Sequence, residues 1–428
     1  MKKISTKISV GVAALSISLS GLVALGSGTA IAASKKSSAV KTLTIGTLYA
    51  GSGAFSSASL LQYAGLQFWA KTVNAKGGMY VGPFKKKAKI KIVAYNDLSD
   101  PATAATLYSQ LLYQDHVDIL VADFGSVLTA PAITLAKNQK RVLFDVSGSG
   151  TVFFSNGANP YTVLTSVPVS SIWPLPVASL LVQLKAQRVA ILYDQNDFDQ
   201  AQANTVQAAL LKAGVTPVYF QGVPTSQSDY STLVQSIVAT KPDAVLEFGY
   251  ANNDMAFLNE LKSTSTHFKF VLTPFLSQLP SLFETNVGTG ANYTYTYGVP
   301  PVLSINKVNY GLGMDAFAKA YQPSDPSAVN FPSIAGYNAG LVIQASYQHA
   351  TSMTQLGIRA GVTAISGKLH TLVGQFKVNN TGAQIGEPFP IAQAIPSATG
   401  FDLKMVFPAN PSQAVLLKTK PLYPAPVN

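Results

Sequence analysis

The strongest constraint on the fold is a regular alternation of short apolar segments with longer segments of helical periodicity, which starts at Thr42. Apolar segments centred on residues 43–48, 90–93, 117–122 and 142–144 predict buried strands. Between them, Leu61, Ala64, Phe68 and Trp69 repeat at helical spacing, Asp100-Pro101 predicts a helix start, and 127–137 predicts another helix. This alternation predicts an α/β fold in which helices cover both faces of a parallel sheet.

The alternation stops and then resumes, which indicates two such units. Residues 156–176 and 293–301 are rich in Pro, Gly or Tyr and predict crossings between lobes. Strands are predicted between them at 189–193, 215–220, 244–248 and 268–272. We therefore expect two Rossmann-like lobes with parallel sheets flanked by helices, joined by a multi-crossing hinge. The first lobe comprises 42–165 and 300–375, and the second 166–299 and 376–428; a chain of 428 residues commonly divides in this way.

The N-terminus has the pattern of a secretory signal. Lys2, Lys3 and Lys7 precede an apolar stretch from Ile8 to Leu25, and Ala30-Ile31-Ala32 matches the small-x-small cleavage pattern. We predict a signal peptide at 1–32, a flexible leader at 33–41, and a periplasmic or secreted mature protein. An uncleaved anchor helix is the alternative, but serines interrupt the apolar stretch. The chain has no cysteine, so lipidation at a new N-terminal cysteine and disulfides are excluded.

Charge is sparse and positive. Only 11% of residues are charged and the formal net charge is +11, whereas soluble domains average about 25% charged residues. The run Lys85-Lys86-Lys87 follows glycine and proline, so we interpret it as a solvated hairpin and expect no nucleic-acid partner. Few carboxylates would suit acidic surroundings, which we keep as a hypothesis.

No recognisable catalytic motif is present, so we expect a protein that is not an enzyme and needs no cofactor or metal. There is no Gly-x-Ser-x-Gly elbow or Walker loop, and none of the four histidines pairs at metal-ligand spacing. Gly311-Leu312-Gly313 is interpreted as a loop leading into a helix. Asp123 and Asp145 each end a first-lobe strand, where a capping or hinge hydrogen bond is favoured over chemistry.

Six segments, taken together and in order, resemble the leucine/isoleucine/valine-binding family of ABC transporter substrate-binding proteins, which has the type I periplasmic binding protein fold. The segments are Ile45-Gly46-Thr47 through Gly53, Asn74-Ala75-Lys76-Gly77-Gly78, Asn96-Asp97 with Asp100-Pro101, Val189–Asp194, Pro242-Asp243-Ala244-Val245, and Gly336-Tyr337-Asn338-Ala339. The resemblance spans roughly residues 43–378.

The resemblance implies a ligand carboxylate held at Ser126 and at Ser149, Gly150 and Thr151. The residue chemistry agrees, because Ser126 lies near a predicted helix N-terminus at Val127 and glycines let backbone amides approach an oxygen closely. Ser126 acting only as an N-cap, with an ordinary turn at 149–151, is the alternative.

The second lobe departs from the amino-acid-binding pattern. Where the family carries an acidic residue for the ligand ammonium, this chain has Thr273-Pro274-Phe275. A zwitterion would leave its ammonium unpaired, so we expect a ligand with a carboxylate or other polar acceptor and an apolar or aromatic body. The candidate walls are Phe55, Phe198, Tyr250 and Phe275, with Trp173 and Tyr337 as further candidates.

The resemblance implies a solute-binding protein that closes by hinge motion on a small carboxylate-bearing or amino-acid-like ligand. Its expected partner is an ABC permease in the inner membrane, and we expect a monomer. A sensor of the same fold that acts on a signalling partner is the alternative, and an exported hydrolase is disfavoured for lack of a nucleophile–base pair.

Overall fold

The computed structural model describes residues 41–155, 161–417 and 419–426. The predicted signal at 1–32 lies outside the described residues. So does the leader, apart from Lys41, which already belongs to the first strand. Five residues of the predicted first crossing, 156–160, also lie outside.

The first sheet has six strands in the order β2-β3-β1-β4-β5-β6. Their bounds are β1 Lys41–Tyr49, β2 Met79–Val81, β3 Lys86–Asn96, β4 Ile119–Val121, β5 Leu143–Asp145 and β6 Thr162–Leu164. β1 and β3 to β6 are parallel, and every residue of β4, β5 and β6 is buried, as expected of a sheet covered on both faces. β2 pairs antiparallel with β3 through Val81 and Lys86, so the predicted lysine hairpin is confirmed.

Three helices connect these strands: α1 Ser56–Ala75, α2 Pro101–Tyr113 and α3 Gly125–Asn138. The start of α2 is as predicted, because the Asp100 side chain accepts from the Thr103 amide and Pro101 takes the first helical position. α3 begins two residues before the predicted Val127. The N-cap residue is Phe124, whose side chain makes no capping hydrogen bond. Ser126 is the second residue of the helix, so the alternative in which it is the N-cap is wrong.

The second sheet follows in the order β15-β14-β11-β10-β9-β7-β8. Its first elements along the chain are α4 Leu175–Gln183, β7 Val189–Asp194, α5 Asp197–Lys212, β8 Tyr219–Val223, α6 Ser231–Ala239, β9 Ala244–Phe248, α7 Ala251–Ser263, β10 Val271–Leu272, α8 Pro280–Asn286 and β11 Tyr295–Tyr297. β8 starts four residues later than the predicted 215, because Pro217 has no amide hydrogen to donate to a ladder.

The chain then returns to the first sheet through α9 Met314–Tyr321, α10 Phe331–Gln348 and α11 Gln355–Ile365, followed by the hairpin β12 Leu369–Thr371 and β13 Gly374–Phe376. α1 and α10 cross in backbone contact at two glycines. A Cβ on Gly65 would lie 2.0 Å from the carbonyl oxygen of Ser333, and one on Gly336 would lie 1.9 Å from that of Gln62. Glycine at both positions therefore allows the close approach.

Two last strands, β14 Ile391–Ser397 and β15 Gly400–Phe407, complete the second sheet with antiparallel pairing. Both sheets are therefore parallel in their interior and antiparallel at one edge. Among the described residues, no helix is both long and apolar enough to span a bilayer.

Three segments cross between the sheets: 165–174, 298–313 and 377–390. Backbone hydrogen bonds join them. Val169 donates to Gln384 O at 2.9 Å, and Gly298 donates to Pro390 O at 2.6 Å. The predicted multi-crossing hinge is thus three hydrogen-bonded segments.

Candidate functional site

The candidate site lies between the carboxyl ends of the two sets of parallel strands, the usual ligand position in open α/β sheets. A cavity of about 10 Å³ remains there, close to the smallest that holds one water, whereas a cavity that binds benzene measures about 150 Å³. Its aromatic lining is Phe124, Trp173, Phe198, Tyr250, Phe275 and Phe331. The groove is therefore filled by the protein's own side chains.

The aromatic rings pack against one another across the groove. Phe124, from the first lobe, lies 6.3 Å from Tyr250 and 6.1 Å from Phe275 between ring centroids. Tyr250 and Phe275 are 5.5 Å apart, and Phe198 meets Trp173 edge-on at 5.2 Å. These distances are typical of favourable aromatic pairs, so the rings form an apolar box with walls from both lobes.

Three polar side chains also reach the cavity: Gln62, Ser147 and Gln278. The Ser147 hydroxyl donates to Gln62 Oε1 at 2.7 Å and accepts from the Gly125 amide at 3.1 Å. Gln62 is brought here by the close crossing of α1 and α10. A mostly apolar cavity with a few fixed polar groups is the usual form of a small-molecule site.

Ser126 lies in the first turn of α3 and is buried. Its amide donates to the Tyr250 hydroxyl at 3.1 Å, and its Oγ accepts from the Gly150 amide at 3.0 Å. Burial raises the pKa of Tyr250 well above its ordinary value, so the phenol stays protonated. The Tyr250 hydroxyl of the second lobe thus accepts from the Ser126 amide, at the position where the resemblance places a ligand carboxylate.

The loop at 149–152 meets a carboxyl group of the second lobe. Asp197, the first residue of α5, accepts from the Val152 amide at 2.8 Å and from the Thr151 hydroxyl at 3.3 Å. Burial raises the pKa of Asp197, although the bonds from Val152 and Thr151 act in the opposite direction. Ser149 is fully buried and its carbonyl accepts from the Ser170 amide at 2.8 Å.

The structure brings the sequence-predicted residues to one region but in different positions. Phe198, Tyr250, Phe275 and Trp173 line the cavity, whereas Ser126, Ser149, Gly150, Thr151 and Phe55 are not among its lining residues. Phe55 packs edge-on against Tyr250 at 4.9 Å. Tyr337 does not line the cavity. It packs on Phe317 at 4.8 Å, and its hydroxyl accepts from the Leu312 amide.

Asp123 and Asp145 support the site from the interior of the first lobe. Asp123 accepts from the Ser59 hydroxyl at 2.6 Å, and Asp145 accepts from the Gly148 amide at 2.7 Å. Burial raises the pKa of both carboxyls, and in Asp123 the charge of Asp97 adds to the effect. Asp145 therefore holds the turn that leads into the 149–152 loop, in agreement with the favoured hydrogen-bonding role.

Sequence reasoning missed Phe124, Gln62, Gln278 and Asp197. Phe124 could have been found, because it follows a predicted strand and so lies at the ligand edge of the sheet. Gln62 and Gln278 offered no such signal, since one lies within a helix and the other in a loop whose path depends on tertiary packing. Asp197 is positioned by Asn196, whose side chain caps α5.

Comparison with known proteins agrees with this architecture. Residues 42–399 match a sequence profile described as "Periplasmic binding protein". The Leu/Ile/Val/Thr-binding protein of Salmonella typhimurium is 26% identical over 189 residues, which is 44% of this chain and 50% of that protein. The matched stretch thus spans about half the length of this relative.

Solved structures share the fold at low identity. A leucine-binding protein of Thermotoga maritima superposes with a TM-score of 0.74 and 15% identity, covering 87% of this chain and 100% of that one. A solute-binding protein of an ABC transporter from R. palustris, solved in complex with benzoate, has a TM-score of 0.71 and 14% identity, covering 85% and 96%.

Two α/β units with a shared groove and three hinge crossings define the type I periplasmic binding protein fold. The profile match covers most of the chain, so the chain belongs to the periplasmic binding protein family. The predicted resemblance to its leucine/isoleucine/valine-binding members is confirmed.

Proposed function

We propose that the protein is an extracytoplasmic solute receptor that binds a small aromatic carboxylate between its lobes and delivers it to an ABC importer. The family supports a receptor role, and the predicted signal peptide supports export. The aromatic box and the amide donors beside it support the ligand class.

The proposed class of ligand rests mainly on Phe275. It stands where the resemblance places an acidic residue for a ligand ammonium, and its ring lies 2% exposed in the wall of the cavity. Leucine in this box would place its ammonium against the Phe275 ring, among cavity-lining residues that carry no charge, which costs on the order of several kcal/mol. An aromatic carboxylate has no such group, and its ring can pack edge-on or offset against the box.

The donors for the carboxylate are the amides of Ser126 and of the 149–152 loop. In the structure the Ser126 amide donates to Tyr250 and the Val152 amide donates to Asp197 instead, while the Gly150 amide donates to Ser126 Oγ, which anchors the loop. Because the cavity is far smaller than a benzene ring, the lobes must separate before a ligand is bound. Ligand binding therefore exchanges the two bonds that cross the groove, to Tyr250 and Asp197, for bonds to the ligand carboxylate, while Ser126 Oγ keeps the loop in place.

The test is mass spectrometry of the small molecules that co-purify with the protein, followed by titration calorimetry. The expected result is an aromatic acid in the extract and binding of benzoate or 4-hydroxybenzoate at least tenfold tighter than leucine. Tight leucine binding with no response to aromatic acids would contradict the proposal. Phe275→Leu is the matched variant: it keeps the wall apolar and should weaken aromatic acids selectively.

A further inference from the structure

Four carboxyl groups, Asp194, Asp199, Glu247 and Asp254, meet inside the second lobe directly beneath the aromatic wall. Asp194 ends β7, Asp199 lies in the first turn of α5, Glu247 lies on β9 and Asp254 lies in the first turn of α7. All four residues are 0% exposed. We call this group the second-lobe carboxyl cluster.

The cluster is compact. Asp194 Oδ2 and Glu247 Oε1 lie 3.4 Å and 2.6 Å from the position that a Cβ on Gly249 would occupy. Glu247 and Asp254 lie within hydrogen-bonding reach of each other. Asp199 accepts from Asn196 Nδ2 at 2.8 Å, and Asp254 accepts from the Phe275 amide at 2.7 Å.

No cation of the described residues balances the cluster. The two lysine–carboxylate ion pairs found in the described part of the chain involve Asp243 and Asp402, on the surface. The titratable groups that face the cluster are the tyrosines Tyr230, Tyr250 and Tyr297, each from a different packed element.

Six of the eight cluster oxygens have no donor in hydrogen-bond geometry: both of Asp194, both of Glu247, and one each of Asp199 and Asp254. The Tyr250 amide and Tyr230 hydroxyl approach Asp194 and Glu247 closely enough to favour their charged forms, but outside that geometry. Buried charges without partners are strongly disfavoured, whereas a carboxylic acid carries a hydroxyl that can donate to its neighbour.

We propose that bound protons hold this cluster together. Its members are predominantly neutral carboxylic acids that donate hydrogen bonds to one another, and this arrangement makes the second lobe most stable at acidic pH. Burial is the largest influence on every member and raises each pKa, that of Asp194 to about 8. Protons supply the donors that the unpaired oxygens lack.

The cluster also supports the ligand wall. Asp254 binds the amide of Phe275, Asp199 follows Phe198 in sequence, and Asp194 lies close to the Tyr250 amide. Ionisation would bring repelling charges and water under three of the rings. Loss of protons should therefore loosen the wall before the rest of the fold unfolds.

The direction of the pH effect follows from linkage. A carboxyl whose pKa is higher in the folded than in the unfolded state binds more protons when folded, so stability is greatest below its unfolded value of about 4 and falls as pH rises towards the folded value. For Asp194 the window runs from about pH 4 to about pH 8.

The experiment measures the melting temperature of the ligand-free protein from pH 4 to pH 8. The expected result is a melting temperature roughly 5 °C or more higher at pH 4 than at pH 8. The double variant Asp194→Asn, Glu247→Gln should clearly reduce that difference, while the first-lobe carboxyls Asp123 and Asp145, whose pKa values burial also raises, should account for the remainder. Glu284→Gln, which changes an exposed residue of the same lobe, should keep it.

Infrared spectroscopy provides a readout that needs no variant. The wild-type protein should show a protonated carboxylic C=O band at pH 7. A profile that rises towards pH 8, or no protonated band, overturns the proposal. Stability at pH 8 that depends on added Na⁺ or Ca²⁺ also overturns it, because a cation would then fill the cluster. None of these measurements depends on the ligand, so the proposed transport role is tested separately.

Discussion

Asp197 Oδ2 in the second lobe lies 2.8 Å from the backbone nitrogen of Val152 in the first. The Thr151 hydroxyl also donates to Asp197 Oδ1 at 3.3 Å. Together these bonds form a polar contact across the groove, at the loop where the resemblance places a ligand carboxylate. A second one joins Tyr250 to Ser126. The closed arrangement of the two lobes is thus held by polar groups of the protein itself.

Asp197→Ala should shift the ligand-free protein towards open forms. The contact is half-buried, so its loss should cost about 1 kcal/mol, or roughly a fivefold change in the closed-to-open ratio. Small-angle scattering should show a larger radius of gyration for Asp197→Ala and no change for Glu284→Gln. An unchanged radius would mean that the contact does not hold the lobes together.

Tyr250→Phe should tighten the binding of an aromatic carboxylate about three- to tenfold. The substitution keeps the ring in the wall but removes the hydroxyl that occupies the Ser126 amide, so the ligand no longer displaces it. Titration calorimetry with benzoate checks this, and Tyr250→Ala, which removes the ring, should weaken binding. If Tyr250→Phe weakened binding instead, the hydroxyl would have to contact the ligand directly.

Ser126→Ala should weaken ligand binding by about 1–3 kcal/mol, because the Gly150 amide loses its acceptor and the 149–152 loop loses its anchor. Calorimetry on the variant measures the loss. Ser109→Ala is the control, since Ser109 is a serine of α2 whose hydroxyl donates to the Ala105 carbonyl of the same helix. Equal affinities for both variants and the wild type would mean that the ligand carboxylate binds away from Ser126.

Phe275→Glu should exchange selectivity. A carboxylate at this position could pair with a ligand ammonium, so leucine should gain affinity while benzoate, of like charge, loses at least tenfold. Competition between the two ligands, followed by calorimetry, measures the change. Phe275→Gln separates charge from size, and a Glu variant that still prefers benzoate would place the ammonium position away from residue 275.

Asp123→Asn should stabilise the protein at pH 8 and have little effect at pH 4. Burial raises the pKa of Asp123, and the charge of Asp97 adds to it, so the cost of ionisation appears only as pH rises above the ordinary value of about 4. The gain at pH 8 should be roughly 1–3 kcal/mol. Denaturant unfolding at both pH values measures the change in the free energy of unfolding. An equal loss of stability at pH 4 and pH 8 would instead indicate that the variant has lost the hydrogen bond from Ser59.

The sequence patterns predicted the sheets better than the site. Strand–helix alternation is a local property, so β1, β7 and β9 fall close to their predicted positions. Tyr337 was wrongly assigned to the groove because its segment resembles a family motif, whereas its ring faces Phe68 and Phe317. Asp197 was missed because its partner at Val152 comes from the other lobe, and no local pattern encodes such a pairing.

The hydrogen bonds among the three crossing segments have a mechanical consequence. Val169 is tied to Gln384 and Gly298 to Pro390, so bending one segment alone would break a bond to another. The cheapest motion keeps these bonds and turns all three segments about a common axis. The mouth that admits the solute must then face away from that axis, and the amount of rotation alone sets how wide it becomes.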